Sequence, residues 1–565
     1  MGEGQRCLAP LVVGRDYGHW RSLRVHGAEC LAAGDEAVVR AIAAVAPREF
    51  EQIVKLLEPT WSHFAGIISN EDGVVAFTDI CRSYPVFYGI TSNGRVVVGP
   101  RAESVLDALG EYVVDDNAVV EALATGYVTG SDTLFCGLHQ LRAGEIMVAT
   151  RGAPISIKRW FVYAPLSCGG DNSRQLKERL ASVTDLAIQR LIERAADAPI
   201  MIPLSGGLDS RLILCKLHEL GCRNLKTFSY GPPGNPDAET ARQVATELNV
   251  PWVFIPNTWS STRTFFMDET RSRYWKFAGQ LSTVPNFQDV ETLAKLDRDG
   301  LMAPDAILVN GQTGDFISGG HISPKLIETD STSDDFFDAL IKKHYSLWQS
   351  LLTEENLSLF RYRIAERLGL PSAQTEIPPC DMPGLYECWE YEERQAKYVI
   401  HGQRSYEFFG RRWHLPLWDG DFVRFWQTVP VSEKLGQKLF ITWLNEWNYK
   451  GLFAGRGRGA GAWSRRNSLF LLPTSILVRL LIGREKRDKL FRYARYFDRF
   501  GNQYAAQGFR FFARHAQDIR NPVSLFVLTW LAESGLHEHF PKKMGSGRTS
   551  PGRRNFLKIM DSGKG

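Results

Sequence analysis

Six consecutive residues, Ser205-Gly-Gly-Leu-Asp-Ser210, place two hydroxyls, two glycines and a carboxylate between an apolar run, Pro199-Ile-Met-Ile-Pro-Leu204, and a helical pattern from Ser210 to Leu220. A glycine turn between a buried strand and a helix points backbone N–H groups at whatever sits above the sheet. With the helix N-terminus it forms an anion pocket. Gly206 and Gly207 permit close backbone approach, and Ser205 and Ser210 add hydroxyl donors. Asp209 sets a carboxylate beside the anion, where only a bound cation makes it welcome. The loop is not of the Walker type, because the closing Gly-Lys-Ser/Thr is absent. The chemistry to expect is the handling of a phosphate chain together with a divalent cation.

Such a loop needs a sheet behind it. A long amphipathic pattern runs from Ser173 to about Ala196, and a second strand, Leu225-Lys-Thr-Phe-Ser-Tyr230, precedes a helix from Asp237 to Leu248. Strands alternating with helices of this length predict a parallel, doubly wound sheet. Residues 330–450 follow a mostly helical period. Before residue 166 the pattern is different: short β-branched and aromatic runs (His63–Ser69, Val74–Phe77, Val86–Tyr88, Arg95–Gly99) lie between turn residues. A helix is predicted over Asp115–Ala124 and a closing hairpin over Glu145–Ala149 and Ile155–Trp160. A turn-rich cluster, Ser167–Ser173, marks the boundary. The expected organisation is thus 1–166, 173–450, a basic helical extension over 451–540, and a disordered tail over 541–565. No internal repeat is visible.

Further motifs carry a resemblance. Ser205–Ser210 looks like the pyrophosphate-binding loop of the asparagine synthetase family. Phe228–Asp237 followed by Ala241-Arg-Gln-Val-Ala245 resembles that family's adenine-side strand and next helix. Asn310-Gly-Gln-Thr-Gly-Asp-Phe-Ile-Ser-Gly-Gly-His321 is similar, position by position, to its SGEGADELFGGY stretch, and Leu415-Pro-Leu-Trp-Asp419 to its V-P-F-L-D segment. The resemblance covers about residues 60–450. It implies a PP-loop ATP pyrophosphatase domain that uses ATP and Mg²⁺. Asp209 and Asp315 are then expected to hold the cation on the ATP phosphates. Leu204, Ser205, Gly206, Gly207, Asp209, Ser210, Tyr230 and Gly311 are expected to bind the nucleotide, with Asp237 beside them. Lys438, in Lys434-Leu-Gly-Gln-Lys438, matches the family lysine that stabilises charge during adenylation and amide formation. Two departures stand out: Gln312 where asparagine synthetases carry a Glu able to act as base, and Phe316 where they carry a second acid. An amide accepts no proton at neutral pH, so the incoming nucleophile must be deprotonated in another way.

The first third resembles the family's Ntn-hydrolase-like glutaminase domain, an α+β sandwich, through Asp79–Tyr88, Tyr127–Phe135 and Leu141–Glu145. Family glutaminases expose Cys as the mature first residue, because its free α-amine serves as base for the thiolate. Here the sequence reads Met1-Gly2-Glu3, and the nearest thiol is Cys7. The expectation is a degenerate domain that hydrolyses no glutamine. Nitrogen would then come from ammonia or an amine.

The chain of 565 residues is 44% hydrophobic and 23% charged, which allows several buried cores. Nine scattered Cys, without a CxxC pair, suit reduced thiols in a cytoplasm rather than a disulfide framework. Met1–Trp20 lacks a secretory pattern. The net charge of +4 conceals a basic C-terminal part: residues 451–565 hold 22 Lys and Arg against 7 Asp and Glu. Within it the apolar run Ser468–Gly483 is flanked by Arg465-Arg466 and Arg484–Arg487. It reads either as a core helix or as one lying peripherally in a membrane interface. No nucleic acid is expected as a partner; a homodimer is. For function, the leading reading is an AMP-forming amide ligase acting on a small-molecule or glycan carboxylate, such as an acidic sugar or aspartate. An intramolecular cyclase of the β-lactam synthetase or lasso-peptide cyclase type and a non-catalytic module are the alternatives.

Overall fold

Period-2 patterning decides the first third of the chain. In the computed structural model, which describes residues 9–15, 17–45, 50–151, 153–165, 171–454, 483–497 and 502–541, it forms two sheets. Strands β2 (Arg21–Val25), β3 (Ala28–Gly34), β4 (Phe64–Asn70), β5 (Gly73–Thr78), β9 (Glu145–Thr150) and β10 (Ser156–Arg159) make one antiparallel sheet in the order β10-β9-β5-β4-β3-β2. β1 (Leu11–Val12), β6 (Phe87–Ile90), β7 (Val96–Gly99) and β8 (Leu138–Gln140) make the other, ordered β1-β7-β6-β8. Alternate residues sort to opposite faces. Leu31, Ala33, Ala65 and Ile67 meet Tyr88 and Val98 of the second sheet. Cys30, Ala32, Phe64 and Ile68 instead bury helices α1 (Glu36–Val45) and α2 (Phe50–Leu57). On the far side α3 (Ala102–Leu109) covers Phe87, Val97 and Leu138. The result is four layers, helix–sheet–sheet–helix. Helix α4 (Asp116–Thr125) is capped by the Asp115 side chain, which accepts from the N–H groups of Asn117 and Ala118.

The second region begins with α5 (Ser173–Ala195), whose Asn172 and Gln175 form a capping box. Then β11 (Ile200–Pro203), α6 (Leu208–Glu219), β12 (Leu225–Gly231), α7 (Pro236–Glu247), β13 (Trp252–Pro256), β14 (Ile307–Val309) and β15 (Arg412–His414) build a five-stranded, all-parallel sheet ordered β13-β12-β11-β14-β15. β11, β13 and β14 are nearly continuous apolar runs, as burial on both faces favours. The expected mixed α/β chain with a parallel sheet behind a two-sheet sandwich is present. β15 was not foreseen as a strand; it is an edge of this sheet and lies against the sandwich, where the His63 ring packs 5.1 Å from Trp413.

The two regions are joined by charge as well as by apolar packing. Glu392, on the π-helical stretch Tyr391–Val399, takes both Arg142 and Arg159 from the sandwich, and Glu393 pairs with Lys397 at 2.8 Å while accepting from the Gly130 N–H. Among the described residues, no helix is long and apolar enough to cross a membrane. The run 468–482, Cys7 and the tail beyond 541 lie outside the described residues.

Candidate active site

β11 sits between β12 and β14, so the winding of the sheet reverses beside it. In open α/β sheets, ligands bind in the crevice outside the carboxyl ends of the strands at such a reversal. The loops leaving β11 and β14 are Ser205–Gly207 and Asn310–Asp315, and they touch. The Asp315 N–H donates to Asp209 Oδ2 at 3.2 Å. A Cβ on Gly311 would lie 2.7 Å from the Ser210 nitrogen, and one on Gly314 would lie 2.6 Å from Asp209 Cγ. Both glycines are therefore demanded by close approach, not by turn conformation.

Within the first loop, the Ser205 N–H donates to Ser210 Oγ and the Gly207 N–H to Ser205 Oγ, each at 3.1 Å. Arg211, fully buried, ties the turn down by donating to Gly206 O at 2.7 Å and to Leu452 O at 2.8 Å. Asp237 stands over the turn, so that a Cβ on Gly206 would meet its Oδ1 at 2.8 Å. Partial burial pushes the Asp237 carboxyl above its usual range. Leu204 is buried beneath, while Ser205 and Gly207 face solvent.

Two carboxylates on turns that the glycines allow to touch form a hard oxygen donor set that fits Mg²⁺. Asp209 and Asp315 would hold the ion, and it would supply charge neutralisation for a phosphate chain. Asp315 is 54% exposed. Behind it stands a charged cluster that sequence reading missed. His321 Nε2 lies 3.2 Å from Asp315 Oδ2, and its Nδ1 lies 2.5 Å from Glu390 Oε1. Glu390 has no exposed surface and also takes Lys343 at 3.0 Å, His344 at 3.5 Å and the Gln395 amide at 3.1 Å. Burial opposes charge on His321, but its hydrogen bonds to Asp315 and Glu390 outweigh this and push it up to about 9. Burial likewise works against the Asp315 anion, and the His321 partner holds the carboxyl below its ordinary value.

Gln312 does not hang free over the site. Its N–H donates to Asn310 Oδ1 at 3.1 Å and its Oε1 accepts from Gln403 Nε2 at 2.7 Å. Asn310 Nδ2 donates to Gln403 Oε1 at 3.2 Å and to the Tyr406 hydroxyl at 3.1 Å. Tyr406 and Tyr230 both donate to Asp289, whose carboxyl burial pushes up. Tyr230, at the end of β12, is thus linked to Gln312 through a buried polar chain. The sequence showed the ends of this chain but not its middle, because Asp289, Gln403 and Tyr406 sit in helical surroundings without a motif.

Lys438 opens the helix Lys438–Trp447, with its ammonium 59% exposed and donating to Glu433 at 2.6 Å. Its neighbour Gln437 braces the Asp315 segment by donating to Ser318 Oγ at 2.8 Å. Lys434, by contrast, is buried on Glu387 at 3.1 Å.

A second polar cluster lies in the sandwich. The ligand-type atoms of His63, Asp79 and Cys81 fall within 4.8 Å of one another. Their bonding is already internal. Asp79 accepts the N–H groups of Phe64, Cys81 and Ser83, and His63 Nδ1 lies 2.9 Å from Ser83 Oγ. His63 Nε2 reaches the Leu415 backbone at 3.4 Å. The Cys81 thiol is pushed well up by burial.

Comparison with known proteins bears on residues 179–258, which match the family model described as asparagine synthase. No curated protein matches. Among solved structures, the allosteric regulatory enzyme of purine biosynthesis is similar at 11% identity, covering 43% of this chain and 64% of that one, with a TM-score of 0.18. The glutamine phosphoribosylpyrophosphate amidotransferase of B. subtilis is similar at 12% identity, over 52% and 63% respectively, with a TM-score of 0.16. The chain spans just under two thirds of each of these structures, and likeness at such scores carries no argument. The matched segment runs from within α5 to just past β13 and contains the Ser205–Ser210 loop with Asp209. Over residues 179–258 the chain is thus similar to the asparagine synthase family.

Proposed function

We propose that the chain is an ATP-dependent, AMP-forming amide ligase. The observation that carries this reading is the contact between the Asp209 and Asp315 turns at the reversal of the parallel sheet. The Ser205-Gly-Gly turn would take the phosphate chain, and the two carboxylates would hold Mg²⁺ on it. A substrate carboxylate attacks the α-phosphate as it stands and expels pyrophosphate. An amine nitrogen then attacks the acyl carbon; AMP leaves and the nitrogen sheds its proton.

The last proton is the difficult one. Gln312 offers an amide already engaged by Gln403, so it takes no proton. The nitrogen donor must therefore arrive as free base, as ammonia or a primary amine. The rate at saturating carboxylate should rise about tenfold per pH unit below the pKa of the amine, and a flat profile contradicts this. The reading as a whole is tested by carboxylate-dependent ATP–pyrophosphate exchange, screened over aspartate, uronates and peptide carboxylates. ADP as the main nucleotide product sinks it.

A further inference from the structure

We infer that His321 is a positioning residue for Asp315, and that buried Glu390 is the anchor that holds His321 in place. The inference rests on the reading of Asp315 as a metal carboxylate given above. Asp315 sits at the start of the short turn Phe316–Gly320, where one of its oxygens is already fixed by the Phe316 N–H at 2.9 Å. Its other oxygen, Oδ2, meets His321 Nε2 at 3.2 Å. The carboxylate is thus held at both oxygens, while its own backbone N–H donates to Asp209 Oδ2.

An imidazole orients another group well only if its own ring is oriented. Here the opposite ring nitrogen is bonded to Glu390, a side chain without exposed surface. Glu390 is in turn fixed by Lys343, His344 and Gln395. Lys343 closes the arrangement by donating to the His321 carbonyl at 3.2 Å. A hub of this cost, with a fully buried carboxylate held among Lys343 and two imidazoles, is out of proportion to the anchoring of one partly buried histidine. It is in proportion to fixing a metal ligand, because partners behind a ligand are worth about 10–100-fold in metal affinity. The two turns holding Asp209 and Asp315 come from different strands, so neither turn alone sets the angle between the carboxylates. The hub supplies that angle from the helix Met382–Glu390, a third element.

The test measures Mn²⁺ binding to the full chain in the presence of ATP, by electron paramagnetic resonance, with no carboxylate substrate and hence no turnover. His321→Ala should weaken Mn²⁺ affinity about tenfold. His321→Gln, which keeps a donor near Asp315, should recover most of it, and Asp315→Asn should weaken affinity further than either. Metal-free melting curves establish that each variant is folded; if His321→Ala is not, the His321→Gln and Glu390→Gln variants carry the test, the first expected near wild type and the second several-fold weaker. Unchanged Mn²⁺ affinity in folded His321→Ala, with Asp315→Asn impaired, overturns the inference and leaves the metal reading standing. Equal loss in the Ala and Gln variants also overturns it. If wild-type protein binds no Mn²⁺ with ATP, the metal reading and the inference fall together.

Discussion

The chain has two polar clusters built from residues that could do chemistry, and they differ in what they leave open. Around Ser205–Ser210 and Asn310–Asp315, Ser205, Gly207 and Asp315 face solvent at the carboxyl end of the parallel sheet, and the glycines let the two turns close on each other. Around His63, Asp79, Cys81 and Ser83, every group is buried and its capacity is spent within the cluster or on the backbone. Residue type does not separate these two places: a Cys, a His, a Ser and an Asp within reach of one another look more like machinery than two serines and two aspartates do. What separates them is access: Ser205, Gly207 and Asp315 stand where a ligand can reach them, and the sandwich cluster does not. A buried polar group must be satisfied, so a sealed cluster is satisfied by its own members.

The largest effect expected from that contrast is on turnover. Asp209→Asn and Asp315→Asn should each lower ATP–pyrophosphate exchange at least ~100-fold, since each removes charge neutralisation and orientation together. Near-normal exchange in either would show that the open cluster is not the site. Gly314→Ala sharpens the point, because its methyl group would push into the Asp209 carboxylate. We expect it to cost at least ~10-fold in a protein that still folds.

Next comes acid lability, a property of buried histidines in the sealed cluster and in the parallel-sheet region beyond it. Burial pushes His63 and His401 down to about 3, and His414 well below its usual value. These groups are neutral when folded but take up protons below pH 6.5 when unfolded. Their contribution is thus complete above about pH 6.5 and is lost as pH falls toward the folded values. Between pH 7 and 5 this amounts to on the order of 1–2 kcal/mol per histidine. Denaturant melts across that range read it out, and His63→Gln should flatten the dependence. A protein equally stable at both pH values would mean these rings are not sealed.

A smaller effect is expected from Cys81→Ala, which leaves its neighbours short of a contact. It should destabilise by about 1–2 kcal/mol while exchange activity stays within about twofold. The smallest expected effect is none: intact chain should release no glutamate from glutamine, and Cys7→Ala should change nothing measurable. Glutamine hydrolysis that disappears in Cys7→Ala would restore chemistry to the sandwich region and dissolve the contrast.

Much of this contrast could be read in the sequence, and the reason is local. The Ser205–Ser210 turn and its flanking strand and helix are written in contiguous residues whose geometry follows from glycine and period, while Asp315 came from the resemblance of Asn310–His321 to a family stretch. The hairpin β9–β10 and the helices α5–α7 fell within a few residues of their expected bounds for the same reason. Glu390, Gln403, Tyr406 and Asp289 were not legible, because each joins the site only through the packing of distant helices. The strand β15 escaped because three residues, Arg412–His414, carry too short a pattern to announce a strand. Lys438 shows the opposite limit: a motif placed it, but its ammonium rests on Glu433 in the open, and sequence spacing does not say where a flexible side chain points.

His63 reaches across to the backbone of Leu415, immediately after β15, and Tyr84 and Arg404 stack on Trp413 within that strand. Among the described residues β15 pairs with β14 alone, so its other edge would be a template for strand addition by another molecule. The sandwich covers it. A sandwich without catalysis of its own would then persist as an intramolecular chaperone. Its last strand, β10, ends at Arg159, so it can fold as a unit before the edge at Arg412 is made. Synthetase-region fragments expressed without it should aggregate even where every residue of the candidate site is intact.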